Sequence, residues 1–323
     1  MNKLKMASLF AGIGGIDLGF RQVGVTSVWA NEIDKFCAVT FRANHPQTKL
    51  VVEDICQISA KDIPAVNIIT GGFPCQPFSI AGYRRGFEDN RGQLFFQMTR
   101  ILNELKSEKR LPEVIFLENV KNLFSHDSGK TYAYIKNTLE DIGYSITEKI
   151  INSCQYGNIP QNRERLYIIG FLNSEYIKEF RWSSKIHLTN TLDKVIDWDE
   201  IVPSKYHYNK TMKCYHLLSQ NVVSSNTIYQ LRRSYIRKNK SGLCPTLTAS
   251  MGMGGNNVPI IKDNRGQIRK LTPRECLRLQ GFPDNYIIPG ELTDCQVYKQ
   301  IGNSVTVSVI RRLAEEIVKV MEK

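Results

Sequence analysis

Five short apolar runs in the first 120 residues each stop at polar or glycine-rich punctuation, and that rhythm constrains the chain more than any other feature. The runs are Met6 to Phe10, Val25 to Ala30, Leu50 to Val52, Val66 to Thr70 and Val114 to Leu117. Helix-forming stretches separate them, the first reaching to about Val23. Buried strands joined through helices build a parallel sheet, because each parallel crossover needs a dozen or more residues and lays a helix on a sheet face. The expected fold is α/β, a doubly wound, mostly parallel sheet.

The residues at the ends of these runs suggest a site. Glu32, Asp54, Cys75 and Glu118 all stand just past the C-terminal end of a run. Ligands of open α/β sheets bind at that edge. The first run ends in Phe10-Ala11-Gly12-Ile13-Gly14-Gly15. Gly12 and Gly14 let backbone approach a ligand closely and leave N–H groups open at a helix start. Glu32, twenty residues after Gly12, can accept from two ribose hydroxyls. A dinucleotide site also has G-x-G and a distant acid, but Asp17 occupies the place of its third glycine.

The remaining candidates carry chemistry of their own. Cys75 lies between Pro74 and Pro77, held stiffly near an expected helix start, a setting that favours a nucleophilic thiolate. Glu118 closes a run of four apolar residues, and an apolar pocket raises a carboxyl pKa. In extended chain Gln161, Arg163 and Arg165 share one face and suit a carbonyl, phosphate or carboxylate. Ser79 to Phe95 reads as a mobile loop. It holds Gly82, Gly86 and Gly92 beside Arg84, Arg85 and Arg91, and arginines meet phosphates.

Charge points to a polyanionic partner. Lys and Arg number 43 against 31 Asp and Glu, a net +12. Between Ile201 and Lys262 there is no acidic residue, while nine are basic, among them Arg232 and Arg233. Five tyrosines are interleaved, from Tyr206 to Tyr235. Within the same stretch Thr246 and Ser250 are candidate nucleic-acid contacts, and Asn256 and Asn257 candidate base readers in a groove. The βα rhythm is lost here. Residues 1–182 with 296–323 are expected to form the larger domain, and 183–295 a smaller, irregular β-rich one. Ser304 to Met321 has helical spacing and is expected to pack back on the larger domain. No apolar run approaches the roughly 20 residues of a membrane helix, and Met1 to Met6 carries no long apolar stretch, so no secretory signal is expected. The eight cysteines show no C-x-x-C pair, which argues against a metal site, and a chain this long has little need of disulfides, so reduced thiols in a cytoplasm are expected.

The ordered segments FAGIGG (10–15), NEIDK (31–35), EDI (53–55), GFPCQPFS (72–79), ENV (118–120), QNRER (161–165), LTPRECLRLQGFPD (271–284) and QIGNSV (300–305) span nearly the whole chain. Together they resemble the bacterial DNA cytosine-5 methyltransferases of restriction–modification systems. The resemblance implies a Rossmann-like methyltransferase sheet and S-adenosylmethionine as cofactor, with Phe10, Gly12, Glu32, Ile33, Asp54, Ile55, Pro74, Leu94, Asn303 and Val305 lining its site. Ser8 stands where some members have Asp, and Ile33 where some have a tryptophan against the adenine. The resemblance also makes the smaller domain the target-recognition domain on double-stranded DNA. Cys75 would add to C6 of a flipped cytosine, Glu118 would serve N3, and Arg163 and Arg165 would fix the base oxygen and the Cys75 region. A monomer is expected, paired in function but not physically with an endonuclease. Two other readings stay open, an RNA cytosine-5 methyltransferase of the same fold and a catalytically inactive DNA-binding regulator. A nicotinamide dehydrogenase explains only the glycines and Glu32.

Overall fold

The computed structural model describes residues 3–73, 93–252 and 257–323. The chain divides into two compact units. The first comprises Met1–Ile151, Glu164–Ser183 and Ile310–Lys323, and the second Asn152–Arg163 and Ser184–Val309.

In the first unit β1 (Lys5–Leu9), α1 (Gly15–Arg21), β2 (Thr26–Asn31), α2 (Lys35–Asn44), β3 (Lys49–Val51) and β4 (Ile68–Gly71) follow in turn. Then come α3 (Gln93–Ser107), β5 (Val114–Val120), α4 (Lys130–Ile142) and β6 (Ser145–Asn152). The short strand β7 (Gln161–Asn162) belongs to the second unit, and β8 (Glu164–Phe171) returns to the first. The seven-stranded sheet has the order β3-β2-β1-β4-β5-β8-β6. Strands β1 to β5 pair in parallel, and β8 runs antiparallel to β5. The chain starts in the middle, winds out to β3, and resumes at β4 on the other side of β1. The order therefore reverses between β1 and β4, the place where such sheets bind ligands.

Register puts the candidate residues on one edge. Leu9 pairs with Gly71, and Gly71 with Leu117. Phe10, Gly72 and Glu118 thus come next on the same level of three adjacent strands. The strands form where they do because β4 and most of β5 are buried along their whole length, as a sheet covered on both faces requires. Helix α3 lays Phe95, Met98, Ile101, Leu102 and Leu105 against the sheet, and α4 lays Tyr132, Ile135, Leu139 and Ile142. Both sets recur at three- and four-residue spacing. Helix α3 begins at Gln93, inside the stretch whose composition suggested a loop to Phe95.

The second unit is built on short strands. β9 (Tyr229–Leu231), β10 (Ile236–Lys238), β12 (Ile260–Lys262) and β13 (Ile268–Lys270) form a sheet of order β10-β9-β12-β13, and β11 (Cys244–Pro245) pairs with β7. Leu218 and Val222, from helix α5 (Tyr215–Asn221) and its end, close a small core with Tyr229, Leu231, Ile260 and Ile268. Helix α6 (Pro273–Arg278) opens with a Thr272–Glu275 capping box. Its Glu275 also takes a two-pronged bond from Arg269 at 2.8 and 2.9 Å, both side chains fully buried. Helix α7 (Asp294–Asn303) follows.

Helix α8 (Val307–Met321) carries the boundary between the units at Val309. From Ile310 it belongs to the first unit, where Ile310 sits so close to Gly19 of α1 that a Cβ there would stand 2.5 Å from it. The last helix packs where its apolar spacing predicted. The sequence suggests boundaries at 183 and 295, whereas the compact second unit also includes Asn152–Arg163 and continues through α7.

Candidate active site

The glycine turn after β1 is the best-defined part of the sheet edge. Phe10 and Gly12 have φ of 55° and 56°, and Gly14, which caps α1, has φ of 78°. The tight turn needs these left-handed residues. A Cβ on Gly12 would meet nothing within 4 Å among the described residues. A Cβ on Gly14 would stand 2.3 Å from His45 Nε2. Packing against His45 therefore excludes a side chain at Gly14.

Glu32 ties the turn to the next strand. Its Oε2 accepts from the Gly12 N–H at 2.7 Å and its Oε1 from the Asp34 N–H at 2.8 Å. Each carboxylate oxygen keeps a second lone pair. Ile33 beside it is 62% exposed, an apolar surface with nothing over it among the described residues. Asp54 accepts from the Cys56 N–H at 2.9 Å and so starts the turn Ile55–Gln57, with Ile55 buried. Leu94 is partly buried against the core.

Beneath the turn lies a polar cluster that the residue pattern does not single out as a site. Asp17 is fully buried and its Oδ1 accepts from Ser8 Oγ at 2.7 Å and Ser27 Oγ at 2.6 Å. Ser8 and Thr70 hydroxyls meet at 3.0 Å. One carboxylate in the first turn of α1 thereby links β1, β2 and β4, where a negative charge also suits the helix dipole. Burial lowers the pKa of the neighbouring His45, against the opposing pull of Asp17.

On the β4–β5 side, Glu118 is buried and its Oε1 lies 3.1 Å from Arg165 Nε. The apolar run predicts an apolar pocket; the structure instead pairs Glu118 with a guanidinium across the β5–β8 ladder. Asn119 Nδ2 donates to the Phe73 carbonyl at 2.8 Å and so anchors the chain two residues before Cys75. In the sequence only its adjacency to Glu118 hints at this role. Pro74, Cys75, Ser79, Arg84, Arg85, Arg91 and Asn256 lie outside the described residues. The seven described cysteines are free thiols, and burial pushes Cys244 and Cys276 up, which keeps them protonated and unreactive.

The QNRER stretch departs from the expectation that three side chains share one target. β7 ends at Asn162 and β8 starts at Glu164, so the alternation breaks at Arg163. Gln161 is fully buried; its Nε2 donates to the Leu279 carbonyl at 2.6 Å and its Oε1 accepts from the Leu247 N–H at 3.0 Å. Both ends of the amide expected to meet DNA are thus engaged within the protein. Arg163, 2% exposed, donates to the carbonyls of Leu247 at 2.8 Å, Gly302 at 3.3 Å and Ser304. Arg165 pairs with Glu118.

Elsewhere in the second unit, Arg232 and Arg233 stand at the turn between β9 and β10, closed by the Arg232 N–H to Tyr235 carbonyl bond of 2.9 Å. Arg233 is exposed. Thr246 Oγ1 donates to the Asn162 carbonyl at 2.7 Å. Ser250 Oγ meets Thr248 Oγ1 at 2.8 Å and accepts from Asn257 Nδ2 at 3.1 Å. Asn303 closes α7 and Val305 is buried in the second unit. No group of metal-ligating side chains occurs among the described residues, and no described helix is long and apolar enough to cross a membrane.

Residues 4–319 match the family described as C-5 cytosine-specific DNA methylase. The chain is 50% identical over 322 residues to the Type II methyltransferase M.Bsp6I of Bacillus sp. (strain RFL6), covering 98% of this chain and 99% of that one. It is 40% identical to the Type II methyltransferase M1.ScrFI of Lactococcus lactis subsp. cremoris, over 99% of this chain and 79% of that one. Among solved structures, the Entamoeba histolytica methyltransferase EhMeth superposes with a TM-score of 0.76 at 22% identity over the whole of both chains, a likeness of fold. The sheet order, the edge residues and these matches place the chain in the C-5 cytosine-specific DNA methylase family.

Proposed function

We propose that the chain transfers a methyl group from S-adenosylmethionine to C5 of a cytosine in a specific short sequence of double-stranded DNA. The observation that carries this reading is the Glu118–Arg165 pair on the level directly past Leu117 and Gly71. The chain leaving Gly71 is held at Phe73 by Asn119 and reaches Cys75 two residues later. A carboxylate and a guanidinium stand at this sheet edge, and with the Cys75 thiol that follows in the sequence they are the groups that activation of a cytosine ring requires.

The residues of the glycine turn fit the cofactor. Among the described residues nothing crowds Gly12 or covers the apolar surface that Ile33 offers to a purine ring, and Glu32 has lone pairs left for two hydroxyls. When bound, S-adenosylmethionine supplies an electrophilic methyl group on a sulfonium. Glu32 and Asp54 would hold its hydroxyl and amine groups, and Phe10, Ile33 and Ile55 its apolar faces. By motif match Pro74, Leu94, Asn303 and Val305 belong to the same set.

Cytosine C5 is a weak nucleophile. The Cys75 thiolate adds to C6, forming the S–C6 bond and pushing electron density onto C5. Glu118 stabilises the ring at N3 as that density rises, and Arg165 holds both Glu118 and the base oxygen. C5 would then take the methyl group that the sulfonium supplies, leaving the cofactor as a neutral thioether; a base takes the C5 proton and the S–C6 bond breaks to release Cys75. C6 is inaccessible inside a stacked duplex, so the cytosine must be flipped out, at a cost of a few kcal/mol. Ser79, Arg84, Arg85 and Arg91 supply phosphate contacts, and Arg232 and Arg233 do so in the second unit. Thr246, Ser250, Asn256 and Asn257 read the target. The protein acts as a monomer in a bacterial cytoplasm, protecting DNA from a partner endonuclease.

The test is transfer of labelled methyl to mixed-sequence duplex DNA and to an RNA transcript of the same sequence, with the product base identified. Label in DNA 5-methylcytosine is expected. Label confined to RNA would move the substrate, and binding of DNA without transfer to either would replace the enzyme by a regulator.

A further inference from the structure

The segment Thr246–Gly252 is gripped by its backbone. Gln161 accepts from the N–H of Leu247, and Arg163 donates to the carbonyl of the same residue. Thr246 Oγ1 is bonded to the Asn162 carbonyl. Three consecutive residues, Gln161 to Arg163, therefore hold two consecutive residues, Thr246 and Leu247. The other arm of Arg163 reaches the carbonyls of Gly302 and Ser304 at the end of α7.

The segment also lies directly on α7. A Cβ on Gly302 would stand 2.1 Å from the Thr248 carbonyl carbon, and a Cβ on Gly252 would stand 2.1 Å from the Cys295 carbonyl oxygen. Backbone touches backbone at two points with no side chain between. From this seat Thr248, Ser250 and Asn257 present one hydrogen-bonded row, with Thr248 exposed.

We propose that Arg163 is a specificity-determining positioning residue: it sets the register of the base-reading segment Thr246–Gly252 and does not itself touch the reacting cytosine. The inference rests on the DNA-methylation reading. A planar fork matches several carbonyls in fixed directions, and an ammonium on a flexible stem does not. Loosening the clamp lets the segment shift, and hydrogen-bond readout of bases tolerates little shift. A base pair that is read well is discriminated by about 5- to 150-fold.

The experiment maps 5-methylcytosine base by base across a plasmid methylated by the purified full-length chain. The wild-type map defines the target. Arg163→Lys is expected to lower the ratio of on-target to off-target methylation at least tenfold. Arg165→Lys, by contrast, is expected to slow all sites together and leave the ratio as it was. If Arg163→Lys slows all sites equally and keeps the ratio, Arg163 acts on the reacting base and the proposal is wrong. Should Arg163→Lys fail to fold, Thr246→Val removes a part-exposed bond of the same clamp; it must lower the ratio by a fewfold, and an unchanged ratio overturns the proposal. A wild-type map without 5-methylcytosine would refute the underlying methylation reading, a different outcome from a map whose selectivity ignores the clamp.

Discussion

Replacing Glu32 by Gln tests the cofactor cradle at a single atom. The carboxylate now accepts two backbone N–H bonds, from Gly12 at 2.7 Å and Asp34 at 2.8 Å. Gln keeps one acceptor oxygen and turns the other into an NH2 group facing an N–H. One charge-assisted bond becomes an ordinary one, losing about 1 kcal/mol. The other is lost and leaves a part-buried donor unpaired, costing about 1–3 kcal/mol. The turn that Gly12 opens is thereby weakened by about 2–4 kcal/mol, and the acceptor for a hydroxyl on that side is gone. At roughly 1.4 kcal/mol per tenfold, affinity for S-adenosylmethionine should fall about 30- to 700-fold. Isothermal titration of the cofactor into the purified variant reads this directly, with circular dichroism confirming that the sheet is intact. A dissociation constant within threefold of the wild-type value would refute the assignment of Glu32 and the argument from its two bonds.

Other consequences follow from the same geometry. Replacing Arg232 and Arg233 by Gln should reduce the slope of log binding constant against log salt by up to about 1.8, since each phosphate left without its cation lowers the slope by about 0.9; a fluorescence-anisotropy salt series checks it, and an unchanged slope would place the phosphate-binding cations elsewhere. Glu275→Gln leaves buried Arg269 without its counter-charge and should destabilise the chain by about 3–5 kcal/mol, read from denaturant unfolding. His45, its pKa lowered by burial despite Asp17, is neutral in the fold and protonates more readily when unfolded. Its contribution is full above a pH of about 6.5 and falls away as pH drops below that. The loss of melting temperature between pH 7.5 and 5.5 should therefore shrink in His45→Gln.

Much of the sheet is legible in the sequence because strands buried on both faces are continuous apolar runs. The expected Leu50 to Val52 and Val114 to Leu117 correspond to β3 and β5 within a few residues. The edge positions of Glu32 and Glu118 follow from where those runs stop. What the sequence conceals depends on partners distant along the chain. Nothing near Gln161 announces that Leu247 and Leu279 will enclose it, so an exposed strand face is expected where a buried clamp exists. Asp17 stands out in the sequence only as a missing glycine, although it joins Ser8 and Ser27 from two strands. Most of helix α7 is expected with the larger domain, whereas it belongs to the second unit, because its short amphipathic pattern does not tell which core its apolar face will join.

The central claim is that Cys75 attacks cytosine C6 while C5 receives the methyl group. Fluorine at C5 cannot leave as the proton does, so a duplex with 5-fluorocytosine at the target should halt the reaction at the covalent stage. Mass spectrometry of the denatured, digested complex with S-adenosylmethionine should find a methylated nucleotide on the peptide containing Cys75, and none in Cys75→Ala. Methyl transfer to ordinary duplex without any trapped adduct, or an adduct on another residue, would contradict the account.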